Sequence, residues 1–249
     1  MKLGTSEASN SIVIHLIIIN VLLWGATLLL PKIDIDLVSH YGLHYWKGSD
    51  FSPIQFLTYM FLHDPTSFAH VFFNMFSLFM FGPVLEQVLG QKRFVIYYIF
   101  TGIGAGLVQE LAWAFDLRGF TNEISQLMES GIPGGLDVGD GVILHTIGEL
   151  NNFADKVYNL HITIGASGAI FALLLAFGMI FPNQPIFIMF IPIPIKAKYM
   201  VVGYALIELF AGVKDFSFDN VAHFAHLGGM LFGILILSYW RWQNKKKLR

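Results

Sequence analysis

Six long apolar segments, separated by small clusters of charge, leave this chain few folds to choose from. They are Ser11–Leu30, Phe68–Leu89, Phe94–Phe115, Ile162–Phe181, Tyr199–Val213 and Val221–Trp240. A membrane-spanning helix needs about 20 mostly apolar residues. Only 13% of the 249 residues are charged, against about 25% in a soluble domain. The expected fold is therefore an all-α polytopic membrane protein with six transmembrane helices. Residues 1–10 form a short N-terminal segment, 11–240 the membrane domain, and 241–249 a basic tail. The apolar run Pro185–Ile195 carries Pro192 and Pro194, which break helices, so it reads as an interfacial turn.

The first segment reads as a retained span. Lys2 is the only basic side chain before it, the run is long for a signal peptide, and no small-x-small site follows. A net charge of −2 gives no electrostatic reason to expect nucleic acid. The chain has no cysteine, which excludes disulfides, thiol catalysis and cysteine-ligated metals.

Lys and Arg positions set orientation. Lys2, Lys92, Arg93, Lys196, Lys198, Arg241, Lys245, Lys246, Lys247 and Arg249 share one side of a six-span topology. Lys32, Lys47, Arg118, Lys156 and Lys214 share the other. The excess places both termini in the cytoplasm. Two outer loops are long. Pro31–Ser67 carries Tyr41, Tyr45, Trp46, Phe51 and Phe56, residues suited to the headgroup layer. Asp116–His161 exceeds a simple connection. Within it Ile143, Ile147, Leu150, Ala154 and Val157 recur at helical spacing, predicting an amphipathic packing helix. Gly131–Gly141 reads as a hinge.

Polar side chains at membrane depth are costly and usually functional. Ser167 lies in Gly165-Ala166-Ser167-Gly168, His226 in Ala225-His226-Leu227-Gly228-Gly229, and His70 and Asn74 four residues apart. In this topology all four fall in the outer third of the bilayer. A serine hydroxyl needs a base to become a nucleophile, and His226 is the candidate. Gly165 and Gly168 give the chain freedom to turn and a substrate backbone room to approach. Ser167 opens a helix, whose free N–H groups favour a developing oxyanion. His70 and Asn74 share a helix face and can both donate to it. Each piece alone reads more readily as helix packing or an interhelical hydrogen bond; their common depth favours catalysis. No acidic residue has an evident role in orienting His226, because Asp215 and Asp219 precede its span. The reading is a Ser–His dyad. His223 reads as an interfacial residue.

This set resembles the rhomboid family of intramembrane serine proteases. The resemblance runs from about Phe51 to Gly233. It rests on Phe61-Leu62-His63 with Ala69-His70-Val71-Phe72-Phe73-Asn74, Glu86 with Gly90, the Gly165–Gly168 motif, and Ala225–Gly229 with Gly233. It implies a six-helix rhomboid-like bundle, a Ser167–His226 dyad, and an oxyanion hole of His70, Asn74 and the Ser167 N–H. It further implies that Phe171 packs on the His226 ring. Gly229 and Gly233 would let the sixth helix approach the fourth. The implied substrates are single-span membrane proteins cut near the outer end of the span. The implied setting is the lipid bilayer of a bacterial inner membrane, and the Lys214–Asn220 loop would act as a cap. Many relatives carry Trp-Arg where this chain has Ile54-Gln55, and compact bacterial relatives lack so long a 116–161 loop.

Two other readings compete. An inactive rhomboid-like protein would bind or escort membrane proteins, but such relatives typically lose the serine or histidine. A channel or transporter would need a full polar path, which Glu86, Glu110 and Glu208 do not extend. No His-Glu-x-x-His zinc motif is present, and no metal or other cofactor is expected. Leu136-Asp137-Val138-Gly139-Asp140 lacks the first glycine of the aspartyl signature, and Ala169 stands where a soluble hydrolase elbow needs glycine.

Overall fold

The computed structural model describes residues 11–132, 134–139, 141–187, 193–214 and 222–247. Lys2, Pro192, Asp215, Asp219, Arg249 and the 215–220 part of the cap loop lie outside the described residues. Ten α-helices are described: α1 Ile12–Leu29, α2 Leu37–Tyr41, α3 Gln55–Thr58, α4 Phe68–Leu89, α5 Gln91–Asp116, α6 Arg118–Ser130, α7 Ile147–Asn159, α8 Ser167–Ile180, α9 Ala197–Lys214 and α10 His223–Lys247. Three two-stranded ribbons join loops: β1 Leu43–His44 with β4 Ile162–Thr163, β2 Leu136–Asp137 with β3 Ile143–Leu144, and β5 Pro185–Ile186 with β6 Ile195–Lys196.

Among the described residues, four segments are long and apolar enough to cross a membrane: Ile12–Ile33, Phe68–Leu89, Gln91–Asp116 and His223–Lys246. The other two expected spans are α8, a shorter apolar helix, and α9. Large apolar side chains stand exposed on the outer faces of α1 (Leu22), α4 (Phe79) and α9 (Leu206, Val213). Such faces suit lipid and would be an aggregation hazard in water. The chain is an integral, multi-pass membrane protein.

The fourth segment differs from expectation. Ile162 and Thr163 are not helical; they pair with His44 and Leu43, and helix begins only at Ser167. The β-branched pair favours an extended backbone, and Gly165 at φ 131° turns the chain before the helix. Helix α8 is the central element, packed by α4, α5, α9 and α10, and Gly168 to Gly178 is buried except at Phe171. Small residues permit this density. A methyl group on Gly229 of α10 would overlap the Gly168 carbonyl, and one on Gly168 would overlap the Ala105 side chain.

Polar anchors hold the outer elements. Glu86, near the end of α4, accepts from Ser11 Oγ at 2.7 Å, Ile12 N at 3.0 Å and Val13 N at 3.2 Å. It thereby caps the start of α1, where a negative charge also favours the helix dipole. Gln55, fully buried, accepts from the backbone N–H groups of His44 at 3.3 Å and Ser52 at 3.0 Å. It donates to the carbonyls of His40 at 3.2 Å and Asp50 at 2.8 Å. One amide side chain thus ties together residues 40 to 52 of the loop between α1 and α4.

The aromatic residues of that loop divide. Tyr41 and Trp46 are exposed, whereas Tyr45 is buried and Phe51 and Phe56 pack on the main core. The 116–161 insertion is folded. The buried face of α7 is Leu150, Ala154 and Tyr158, and with Tyr45, Leu117, Ile124 and Leu144 it forms a second apolar cluster. Ile143, expected to share that face, is instead in β3, because Thr146 and Glu149 form a capping box that starts the helix at Ile147. Within the expected hinge, Leu136–Asp137 pairs with Ile143–Leu144. At the ends of the apolar 185–195 run, Pro185 pairs with Lys196 and Ile186 with Ile195.

Candidate active site

Ser167 is the first residue of α8. The first amide bonded back into the helix is that of Ile170, to the Ala166 carbonyl at 3.0 Å. The amides of Ser167, Gly168 and Ala169 are thus the open N-terminal donors of the helix. The segment entering α8 is fixed from below: the Gly165 amide donates to the Tyr59 carbonyl at 2.9 Å, and the Tyr59 hydroxyl donates to the Gly102 carbonyl at 2.7 Å.

His226, in the first turn of α10, brings Nε2 to 2.7 Å from Ser167 Oγ. The ring is buried and lies parallel to that of Phe171, centroids 4.2 Å apart and planes 7° from coplanar. Phe171 stands four residues after Ser167, so one helix face presents both the hydroxyl and the aromatic platform. The close approach at Gly229 brings α10 near enough for this contact. At Gly233 a side chain would meet the Tyr97 hydroxyl, which itself donates to the Ala172 carbonyl at 2.7 Å.

His70 and Asn74 face the same space from α4. With Ser167, His226, Thr163, Ile164 and Asp64 they line a cavity of about 500 Å³. The Asp64 amide donates to His70 Nδ1 at 3.4 Å. That leaves Nε2 as the nitrogen carrying the proton on a neutral ring. A Cβ on Gly165 would sit 2.8 Å from that Nε2 and 3.7 Å from Ser167 Oγ, so the absence of a side chain there keeps the donor and hydroxyl open to each other. Asn74 is buried at the cavity wall.

An acid stands beside His226, although none with an evident role could be named from the sequence. Glu208, on α9, places Oε2 at 2.9 Å from His226 Nδ1 and at 2.6 Å from His223 Nδ1. His223 is therefore not merely interfacial; it shares a carboxylate oxygen with His226. Sequence adjacency pointed to the loop before α10, but the carboxylate comes from the neighbouring antiparallel helix. One signal was available: Glu208 stands six residues before Lys214, the end of α9, about 9 Å at 1.5 Å per residue. That matches the depth inferred for Ser167 and His226.

Chemically, the arrangement offers a hydroxyl beside a histidine nitrogen, polar side chains facing it across the cavity, and an acceptor behind the histidine. Comparison with known proteins gives the family. The Rhomboid domain family model matches residues 50–128 and 138–243, a span containing every residue named at the site. The chain is also 25% identical over 214 residues to a Bacillus subtilis (strain 168) protein named "Putative rhomboid protease YdcA", covering 85% of this chain and 77% of that one. With the family model matched over most of its length, this chain belongs to the rhomboid family.

Proposed function

We propose that this protein is a serine endopeptidase of the membrane interior. Rhomboid proteins are usually intramembrane serine proteases that act on membrane proteins within the bilayer. The finer reading here is cleavage near the outer end of single-span substrates, with both termini in the cytoplasm of a bacterial cell and 11–240 as the membrane domain. The observation that carries it is the 2.7 Å contact between Ser167 Oγ and His226 Nε2 on the wall of the His70/Asn74 cavity.

In this reading Ser167 gives its proton to His226 Nε2 as Oγ bonds to the scissile carbonyl carbon. The resulting oxyanion is met by the Ser167 N–H, His70 Nε2–H and Asn74. His226 then returns the proton to the leaving amine as the C–N bond breaks. Water then loses a proton to the same nitrogen as it bonds to the acyl carbon; the Oγ–C bond breaks, the acid leaves, and His226 returns that proton to Ser167 Oγ. Gly165 and Gly168 keep the approach to Oγ clear, Phe171 holds the ring, and no cofactor takes part.

The test is cleavage of a panel of single-span reporter proteins in liposomes by wild type, Ser167→Ala and His226→Ala. Cleavage by wild type alone supports the reading. Cleavage surviving in Ser167→Ala overturns the mechanism. A folded wild type that binds reporters without cutting them favours a binding or escort protein.

A further inference from the structure

The geometry points to Glu208 as the positioning residue of the catalytic base, making Ser167–His226–Glu208 a triad in which one carboxylate is shared with His223. This deepens the proteolytic reading and rests on it for its role, though not for its geometry.

Glu208 and His226 are buried and His223 partly so. An ionised carboxylate offers only acceptors. It therefore requires a proton on the nitrogen facing it, and both facing nitrogens are Nδ1. For His226 this choice decides the chemistry. With the proton on Nδ1, a neutral imidazole has its lone pair on Nε2, the nitrogen that faces Ser167 Oγ. The opposite tautomer would point an N–H at the serine and could accept nothing from it.

The same contact serves the next step. When Ser167 transfers its proton, His226 becomes an imidazolium, and the Nδ1–H bond to Glu208 becomes charge-assisted. Carboxylate and ring then attract most strongly in the transition state, which is where stabilisation raises rate. No proton passes to Glu208: the proton on Nδ1 stays there, and the one gained on Nε2 leaves with the amine.

His223 keeps the carboxylate in place. It lies three residues before His226, one turn away on α10, so a single helix presents two Nδ1–H donors to one oxygen of α9. A carboxylate so held is costly to leave without partners in the membrane, and the two bonds also lock α9 to α10 beside the base. Among the described residues, the titratable groups about His226 are Glu208, His223 and, across the cleft, His70.

Two measurements test this in full-length protein. The first is nitrogen NMR of histidine-labelled Ser167→Ala protein, with and without Glu208→Gln or Glu208→Ala, which reads the His226 tautomer without any proteolysis. The second is kcat and KM for reporter cleavage by the same Glu208 variants, with Glu208→Asp as the conservative rescue. The expected result is Nδ1–H on His226 only when Glu208 is present. Glu208→Ala is expected to lower kcat by about 10²-fold or more with KM little changed, as for loss of a transition-state interaction. Glu208→Asp is expected to recover part of that loss. An unchanged tautomer together with kcat within about 2-fold of wild type would overturn the assignment. A tautomer that follows Glu208 in a wild type that cuts nothing would support the positioning role and overturn the proteolytic reading instead.

Discussion

The rings of Phe171 and His226 lie flat against each other, 4.2 Å between centroids, and this contact sets the plane in which Nε2 meets Ser167. Replacing Phe171 with Leu keeps apolar bulk but removes the flat platform. We expect kcat to fall about 10-fold, because small misplacements of a catalytic group are costly, while thermal stability in detergent changes little. Reporter cleavage with a parallel melting curve checks this.

Gly229 faces the carbonyl of Gly168 with no room for a methyl group. In Gly229→Ala, α10 must shift away from α8, lengthening the Ser167–His226 contact. Overpacking of this kind costs about 1–3 kcal/mol, and the displaced base is expected to lower activity by roughly 10²-fold. Denaturation and cleavage measured on one preparation give both numbers.

Gln55 makes four hydrogen bonds within the loop between α1 and α4. Gln55→Ala would strip partners from two backbone amides and two carbonyls. At about 1 kcal/mol per neutral bond, a loss of roughly 2–4 kcal/mol is expected, with faster hydrogen exchange across residues 40–55. Gln55→Glu keeps the acceptor but not the donor and should fall between.

Glu149 anchors the other outer element. Backbone N–H groups of His145 and then Thr146 hold its carboxyl below the usual carboxylate range. The sign follows: the carboxylate's contribution to α7 is complete above the unfolded value of about 4.3 and is lost as pH falls through the lower folded value. Protection of the α7 amides against hydrogen exchange, corrected for the intrinsic rate at each pH, is expected to fall below about pH 4 in wild type. In Glu149→Gln that protection should be nearly independent of pH across the range.

Much of this was written in the sequence. Apolar run length located the long helices, and the depth of Ser167, His226, His70 and Asn74 brought four polar residues from three segments to one place. The start of α8 was misread because Ile162 and Thr163 are as apolar as the helix they precede, and pairing with Leu43 and His44 decides their conformation. Glu208 was missed for a related reason. Its partner lies on another helix, and a lone glutamate in an apolar run does not disclose which face it occupies. Gln55 shows the same limit, since nothing local says that a glutamine will gather backbone groups from 40 to 52.

The central claim is that Ser167 is a nucleophile activated by His226, and covalent labelling tests it most directly. Full-length protein in liposomes would be treated with a fluorophosphonate and the modified residue located by mass spectrometry. The account predicts modification at Ser167, slowed by about 10²-fold or more in His226→Ala. Labelling of other serines with Ser167 untouched, or an unchanged rate in folded His226→Ala, would contradict it.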